Sequence, residues 1–123
     1  MRDIERDALE RVRGDHGAAS LVTDLVALAT DLPRGEIGGG GKTRGEGVTR
    51  ARHMAMYLAY VIFQWPLERV GAAFGRDRTT AGHACRQVED LRDDRAFDDM
   101  MERLESCLRM SPCAPGWNRE EWR

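Results

Sequence analysis

The chain predicts an all-α fold, a compact helical domain with a helix-turn-helix, and three observations carry that expectation. Apolar residues recur at intervals of three and four in most segments outside one glycine-rich stretch. No segment alternates convincingly enough to form a strand, and no internal repeat is visible. Between Arg50 and Leu91 the chain divides into two helical segments, a tight polar turn, and a third helix opening on polar and basic residues. At 123 residues, 41% apolar and 33% charged, it is sized for one water-facing domain with a modest core.

The elements follow in order. Residues 3–13 place Ile4, Ala8 and Val12 at helical spacing, so residues 1–17 form an N-terminal helix or arm. Residues 18–30 form a stronger helix with Leu21, Leu25, Leu28 and Ala29 on one face and Ser20 near its start. Leu32 and Ile37 can pack one short turn. Residues 38–47, GGGGKTRGEG, read as a flexible loop, because glycine carries too much backbone entropy to hold regular structure cheaply.

A helix opens at Thr49 or Arg50 and runs to about Gln64, with Met54, Leu58, Val61 and Ile62 along its stripe. Pro66 suits the first turn of the next helix, which buries Leu67, Val70, Gly71 and Phe74 and stops at Gly75. After Arg76–Asp77–Arg78, a helix to about Arg92 buries Ala81, Ala84, Cys85, Val88 and Leu91. A last helix, about 96–109, buries Phe97, Met100, Met101, Leu104 and Leu108. The domain is therefore drawn over 18–109, with 110–123 as an irregular tail.

Composition removes several functions. No stretch approaches the ~20 apolar residues of a membrane span, and MRDIERDALE lacks the apolar core of a signal peptide, so a cytoplasmic, nucleoid-associated location is expected. Cys85, Cys107 and Cys113 match no zinc or redox spacing and read as reduced thiols, Cys85 in the core. GGGGKT invites a nucleotide-binding reading, but a P-loop needs its first glycine where Glu36 stands, and a strand before it. His53, His83 and Cys85 are the tempting catalytic set. His83 and Cys85, two residues apart, point roughly 200° apart around a helix, so catalysis is not expected, nor is a metal or a cofactor.

Charge is distributed unevenly. The net charge is −2, and eighteen of the nineteen basic residues are arginine, with Lys42 the exception. Residues 1–41 carry −3, residues 42–95 carry +3 and residues 96–123 carry −2. Positive charge thus collects where the polar-tipped helix begins.

That helix is a candidate DNA reader. In a helix-turn-helix the first helix braces the backbone and the N-terminal turn of the second meets base edges. Here the supporting helix is Pro66–Phe74, and Gly71 would allow close approach near the crossing. The outward face is Arg78, Thr79, His83, Arg86, Gln87 and Asp90, with Arg76, Asp77 and Thr80 in the turn that opens the helix completing the candidate DNA-binding set. Arginine can fork onto guanine, aspartate accepts from cytosine, and a threonine methyl can touch thymine, a good bidentate pair being worth about 1–3 kcal/mol. Thr79, Thr80, His83 and Arg86 can equally donate to phosphates. Arg50 and Arg52, just after the glycine-rich loop, are placed to reach a minor groove.

Four motifs together resemble the C-terminal DNA-binding domain of the bacterial replication initiator DnaA, a helical fold of the domain IV or trp-repressor-like type. They are Arg50-Ala51-Arg52-His53-Met54-Ala55-Met56-Tyr57-Leu58, Val70-Gly71-Ala72-Ala73-Phe74-Gly75, Arg76-Asp77-Arg78-Thr79-Thr80 and His83-Ala84-Cys85-Arg86. The resemblance spans about residues 18–108. It implies that Arg50 enters a minor groove and that Asp77, Thr79 and Thr80 read a major groove. Three departures stand out: Arg78 replaces the family's histidine, Gly75 replaces a double glycine, and Ala81 replaces an aliphatic residue. Arg78 at a base-reading position implies an altered DNA preference.

The resemblance also implies that the initiator's ATPase and helicase-recruiting modules are missing, leaving a freestanding reading head. Such a head suits transcription regulation, with activation of phage-like or gene-transfer-agent genes as the finer expectation. The alternatives are a replication modulator competing for initiator boxes, or a helical protein-interaction adaptor. Trp117 and Trp122 in the tail are candidate anchors for RNA polymerase or a co-activator. With no heptad seam, a monomer or a DNA-assembled dimer is expected on double-stranded DNA.

Overall fold

The computed structural model describes residues 2–38 and 45–116. Among the described residues six helices follow one another: α1 (Arg2–Thr30), α2 (Arg34–Gly38), α3 (Glu46–Ile62), α4 (Leu67–Ala73), α5 (Arg78–Leu91) and α6 (Arg95–Arg109). No strand occurs among the described residues. The fold is all-α.

The first helix differs from expectation in two ways. Arm and helix are one continuous element of 29 residues. Gly14 and Gly17 do not break it, since each costs only about 0.5–1 kcal/mol relative to alanine and no proline interrupts the amide ladder. Its buried face is Ala18, Ala19, Val22, Thr23 and Val26, while Leu28 is 81% exposed. Of the expected stripe, Leu21 and Leu25 flank the core half-buried while Leu28 and Ala29 are exposed, because the buried centre lies roughly 100° round the helix on Val22 and Val26. Small and β-branched residues let α1 lie close, and the Thr23 hydroxyl is satisfied by donating to the Ala19 carbonyl at 2.8 Å. The helix ends at Asp31, whose φ of 56° is left-handed, with the Leu32 amide donating to the Ala27 carbonyl.

Helix α3 is the axis of the domain. It begins three residues earlier than expected, at Glu46, because Gly45 adopts φ 91° and provides the entry. It is buried nearly all round, from Ala51 through Ala59 with only His53 partly open, because α1, α2, α4, α5 and α6 all pack against it. Pro66 precedes α4 in an extended conformation and does not occupy its first turn. Helices α5 and α6 are capped by Asp77 and Asp94, which accept from the Thr80 and Phe97 amides at 2.7 and 2.9 Å.

Arginines clamp helices to one another. Arg69 on α4 donates bidentately to Asp15 on α1 at 2.9 and 2.7 Å and lies over the Trp65 ring. Arg92, just past α5, reaches Asp98 at 2.5 Å and Glu105 at 3.0 Å on α6, and the Tyr57 hydroxyl at 3.3 Å on α3. Cys85 is buried, and Cys107 and Cys113 are exposed free thiols. After α6 the chain turns back to bury Ala114. The rest of the tail, with Trp117 and Trp122, lies outside the described residues, as do Lys42 and most of the glycine-rich loop.

Candidate nucleic-acid interface

The turn between α4 and α5 is fixed by backbone. Phe74 donates to the Val70 and Gly71 carbonyls, Gly75 turns at φ 69°, and the Arg76 amide donates to Gly71 at 2.7 Å. Gly71 has no side chain because there is no room for one: a β-carbon would stand 2.6 Å from the Arg76 carbonyl oxygen. The close neighbour is therefore the turn itself, where the sequence suggested the crossing of two helices.

Helix α5 then presents two faces. Ala81, Ala84, Cys85 and Val88 are buried at the i, i+3, i+4, i+7 positions of an inward stripe. Arg78, Thr79, His83, Arg86 and Gln87 are exposed, with Arg76 and Thr80 half-buried beside them. Asp77 is exposed and accepts from Thr80, and those hydrogen bonds hold its carboxyl below the usual carboxylate range. The amino end of α5 is open to solvent, as a groove-entering helix requires.

Arg50 stands on the neighbouring helix, exposed. It shares a cleft of about 550 Å³ with Glu46, His53 and Gln87, so a residue from the loop end of α3 and one from the third turn of α5 face the same concavity. His53, which the sequence offers only as a catalytic candidate, lies in this cleft. Its half-buried ring meets His83 edge to face, with centroids 5.9 Å apart. Burial, then His83, then Arg52 push His53 below the ordinary histidine range. No periodicity argument could place it there, because the pairing joins two helices thirty residues apart in sequence.

Arg52 is a correction. Expected at a minor groove, its side chain is 7% exposed and turns inward. Its Nε donates to the Ile37 carbonyl at 2.9 Å and its guanidinium also reaches Glu36 at 3.0 Å, so it fastens α2 to α3. A short helix of five residues leaves carbonyls that need donors, and a fork with five N–H groups supplies them.

The catalytic candidates diverge. His83 is exposed while Cys85 is buried, and burial pushes the Cys85 thiol up to about 11. A thiol held protonated is a poor nucleophile. Among the described residues no helix is long and apolar enough to cross a membrane.

Three comparisons bear on this surface. The family model described as the bacterial dnaA protein helix-turn-helix matches residues 19–88. The chromosomal replication initiator protein DnaA of Psychromonas ingrahamii is 34% identical over 108 residues, covering 86% of this chain and 23% of that protein. A solved DNA replication initiation factor superposes with a TM-score of 0.70 at 28% identity, covering 84% of this chain and 32% of that one. A replication initiator DnaA bound to AMPPCP and single-stranded DNA gives 0.68 at 26% identity, covering 89% and 32%. The chain spans about a quarter of the curated relative and about a third of each solved one.

Proposed function

The chain belongs to the bacterial DnaA helix-turn-helix family, and from that premise we propose that it is a sequence-specific, double-stranded DNA-binding transcription regulator. The open, Asp77-capped amino end of α5 is the observation that carries this reading. Arg78, Thr79 and Thr80 enter a major groove and contact base edges, while Arg50 reaches the adjoining minor groove. Arg76, His83, Arg86 and Gln87 hold the flanking phosphates and set the register. Asp77 orients the turn and can accept from a cytosine amino group.

Arg78 makes the preferred site differ from the family's usual box, since a guanidinium forks onto guanine in a way an imidazole cannot. On DNA the protein acts as a monomer or an assembled pair. It works in the cytoplasm on the nucleoid, as an activator that also touches RNA polymerase or a co-activator. Trp117 and Trp122 are the tail residues suited to that partner contact.

Selection from a random duplex pool tests this directly. A single enriched motif is expected, with Thr79→Ala and Arg78→Ala each weakening it by about 1–3 kcal/mol and relaxing preference at adjacent positions. A pool that shows no enrichment, or two variants that keep the parent's motif and affinity, would overturn the reading.

A further inference from the structure

The ring contact between His53 and His83 joins a half-buried imidazole to an exposed one, and it sits where α3 and α5 present Arg50 and Gln87 to one cleft. Resting on the DNA-binding reading above, we propose that His53 and His83 form a proton-dependent site for one backbone phosphodiester of bound duplex, so that binding draws a proton onto His53. Each neutral imidazole offers one N–H donor and an imidazolium offers two, so a phosphate lying against the outer edges of the touching pair gains a donor and a charge together.

The groups around His53 favour this linkage. From α3 it is faced by Arg52 and, in the cleft, by Arg50 and Glu46; from α5 it is faced by His83 and the neutral Gln87. Arg52 and His83 oppose a proton on His53 in the unbound chain, after the larger effect of burial. A phosphodiester brings negative charge into the same space and reverses that balance. Glu46 is the one acidic group among the described residues lining the cleft, so the phosphate must be held on the His83 side, away from it. Arginines stay charged throughout the neutral range, so pH dependence there falls to histidine.

The chain has three histidines, which keeps the assignment tractable. The third, His16, is on α1 and lines a separate cavity with Arg34. The test is fluorescence anisotropy of the full chain on a duplex carrying its selected site, from pH 8 to 5.5 at fixed salt. Uptake of one proton strengthens binding by up to about tenfold per pH unit on acidification. His53→Gln is expected to flatten that dependence below about twofold per unit, with His16→Gln keeping it. The salt dependence should also steepen by about one phosphate equivalent between pH 8 and 6 in the parent and not in His53→Gln, a readout a packing role would leave unmoved. Binding that is independent of pH, or a slope that survives His53→Gln, would overturn this site alone. No binding at any pH would overturn the DNA reading and the site with it.

Discussion

The Arg76 amide donates to the Gly71 carbonyl at 2.7 Å, and that bond folds the turn of the helix-turn-helix back onto α4. A β-carbon on residue 71 would stand 2.6 Å from the Arg76 carbonyl oxygen and 2.9 Å from the carbonyl carbon and oxygen of Asp77. All three neighbours are backbone and cannot rotate away. Gly71→Ala should therefore fall at the upper end of the ~1–3 kcal/mol range for overpacking, outweighing the ~1 kcal/mol that alanine gains inside a helix. Gly82 offers the contrast, since its β-carbon would meet only Leu67 Cδ1 at 3.5 Å, an ordinary contact. Urea unfolding should show Gly71→Ala losing about 2 kcal/mol and Gly82→Ala losing nothing. Equal midpoints for the two would mean that the turn shifts without cost.

Helix α5 starts at the hydrogen bond from the Thr80 amide to Asp77. Because that bond holds the Asp77 carboxyl below its ordinary range, its stabilising effect is full above the unfolded value of roughly 3.9. It is lost as pH falls through the folded value. Asp77→Ala should lower Tm at pH 7 and approach the parent near pH 2. Asp77→Asn, a comparable cap without the charge, should keep most of the parent's Tm at pH 7. Thermal melts across that range decide it, and an Asp77→Ala deficit unchanged at pH 2 would remove the carboxylate from the explanation.

What the sequence disclosed, and what it hid, divides by physical cause. The stripes of α5 and α6 were legible because their apolar residues have one face to choose, and Ala81, Ala84, Val88, Met101 and Leu108 are buried where periodicity put them. In α1 two apolar stripes compete, and spacing alone cannot say that Val22 and Val26 pack while Leu28 does not. The turn was legible through Gly75, a residue type with narrow conformational uses, whereas Gly71 was legible only as a site of close approach and not for the turn it meets. Arg52 was not, because an arginine's direction depends on which carbonyls lie nearby, here those of a helix fifteen residues upstream. The His53–His83 contact was hidden for the same reason. It belongs to the packing of α3 on α5 and to no local pattern.

Arg50 and Arg52 lie two residues apart on one helix with opposite expected behaviour. Arg50 is exposed, and Arg50→Ala should change stability by less than about 0.5 kcal/mol while weakening DNA binding about tenfold or more. Arg52 is buried and donates to two backbone carbonyls, each charged hydrogen bond being worth about 1.5–3 kcal/mol. Arg52→Ala should cost about 3 kcal/mol in urea unfolding. The pair is tested by unfolding and anisotropy on the same two proteins, and a stable Arg52→Ala that loses only DNA affinity would return Arg52 to the groove.

Arg92 gathers α3, α5 and α6 at one point. Burial works against its charge, but hydrogen bonds from its guanidinium to Asp98, Tyr57 and Glu105 outweigh that and leave its pKa raised. Its side chain is 19% exposed and that of Glu105 is 8% exposed. Removing one partner of a buried pair commonly costs about 3–5 kcal/mol, because the other is left charged in a poor solvent. Asp98 is more open, so Arg92→Ala should lose nearer 3 kcal/mol. The deficit should come chiefly from stranded Glu105. Combining Arg92→Ala with Glu105→Gln should therefore recover about 1 kcal/mol, since a neutral amide is far less costly to bury than a carboxylate. A double-mutant cycle in urea measures this. Strictly additive losses would show that Arg92 acts through its stem packed on Tyr57, and that the ion pair contributes little.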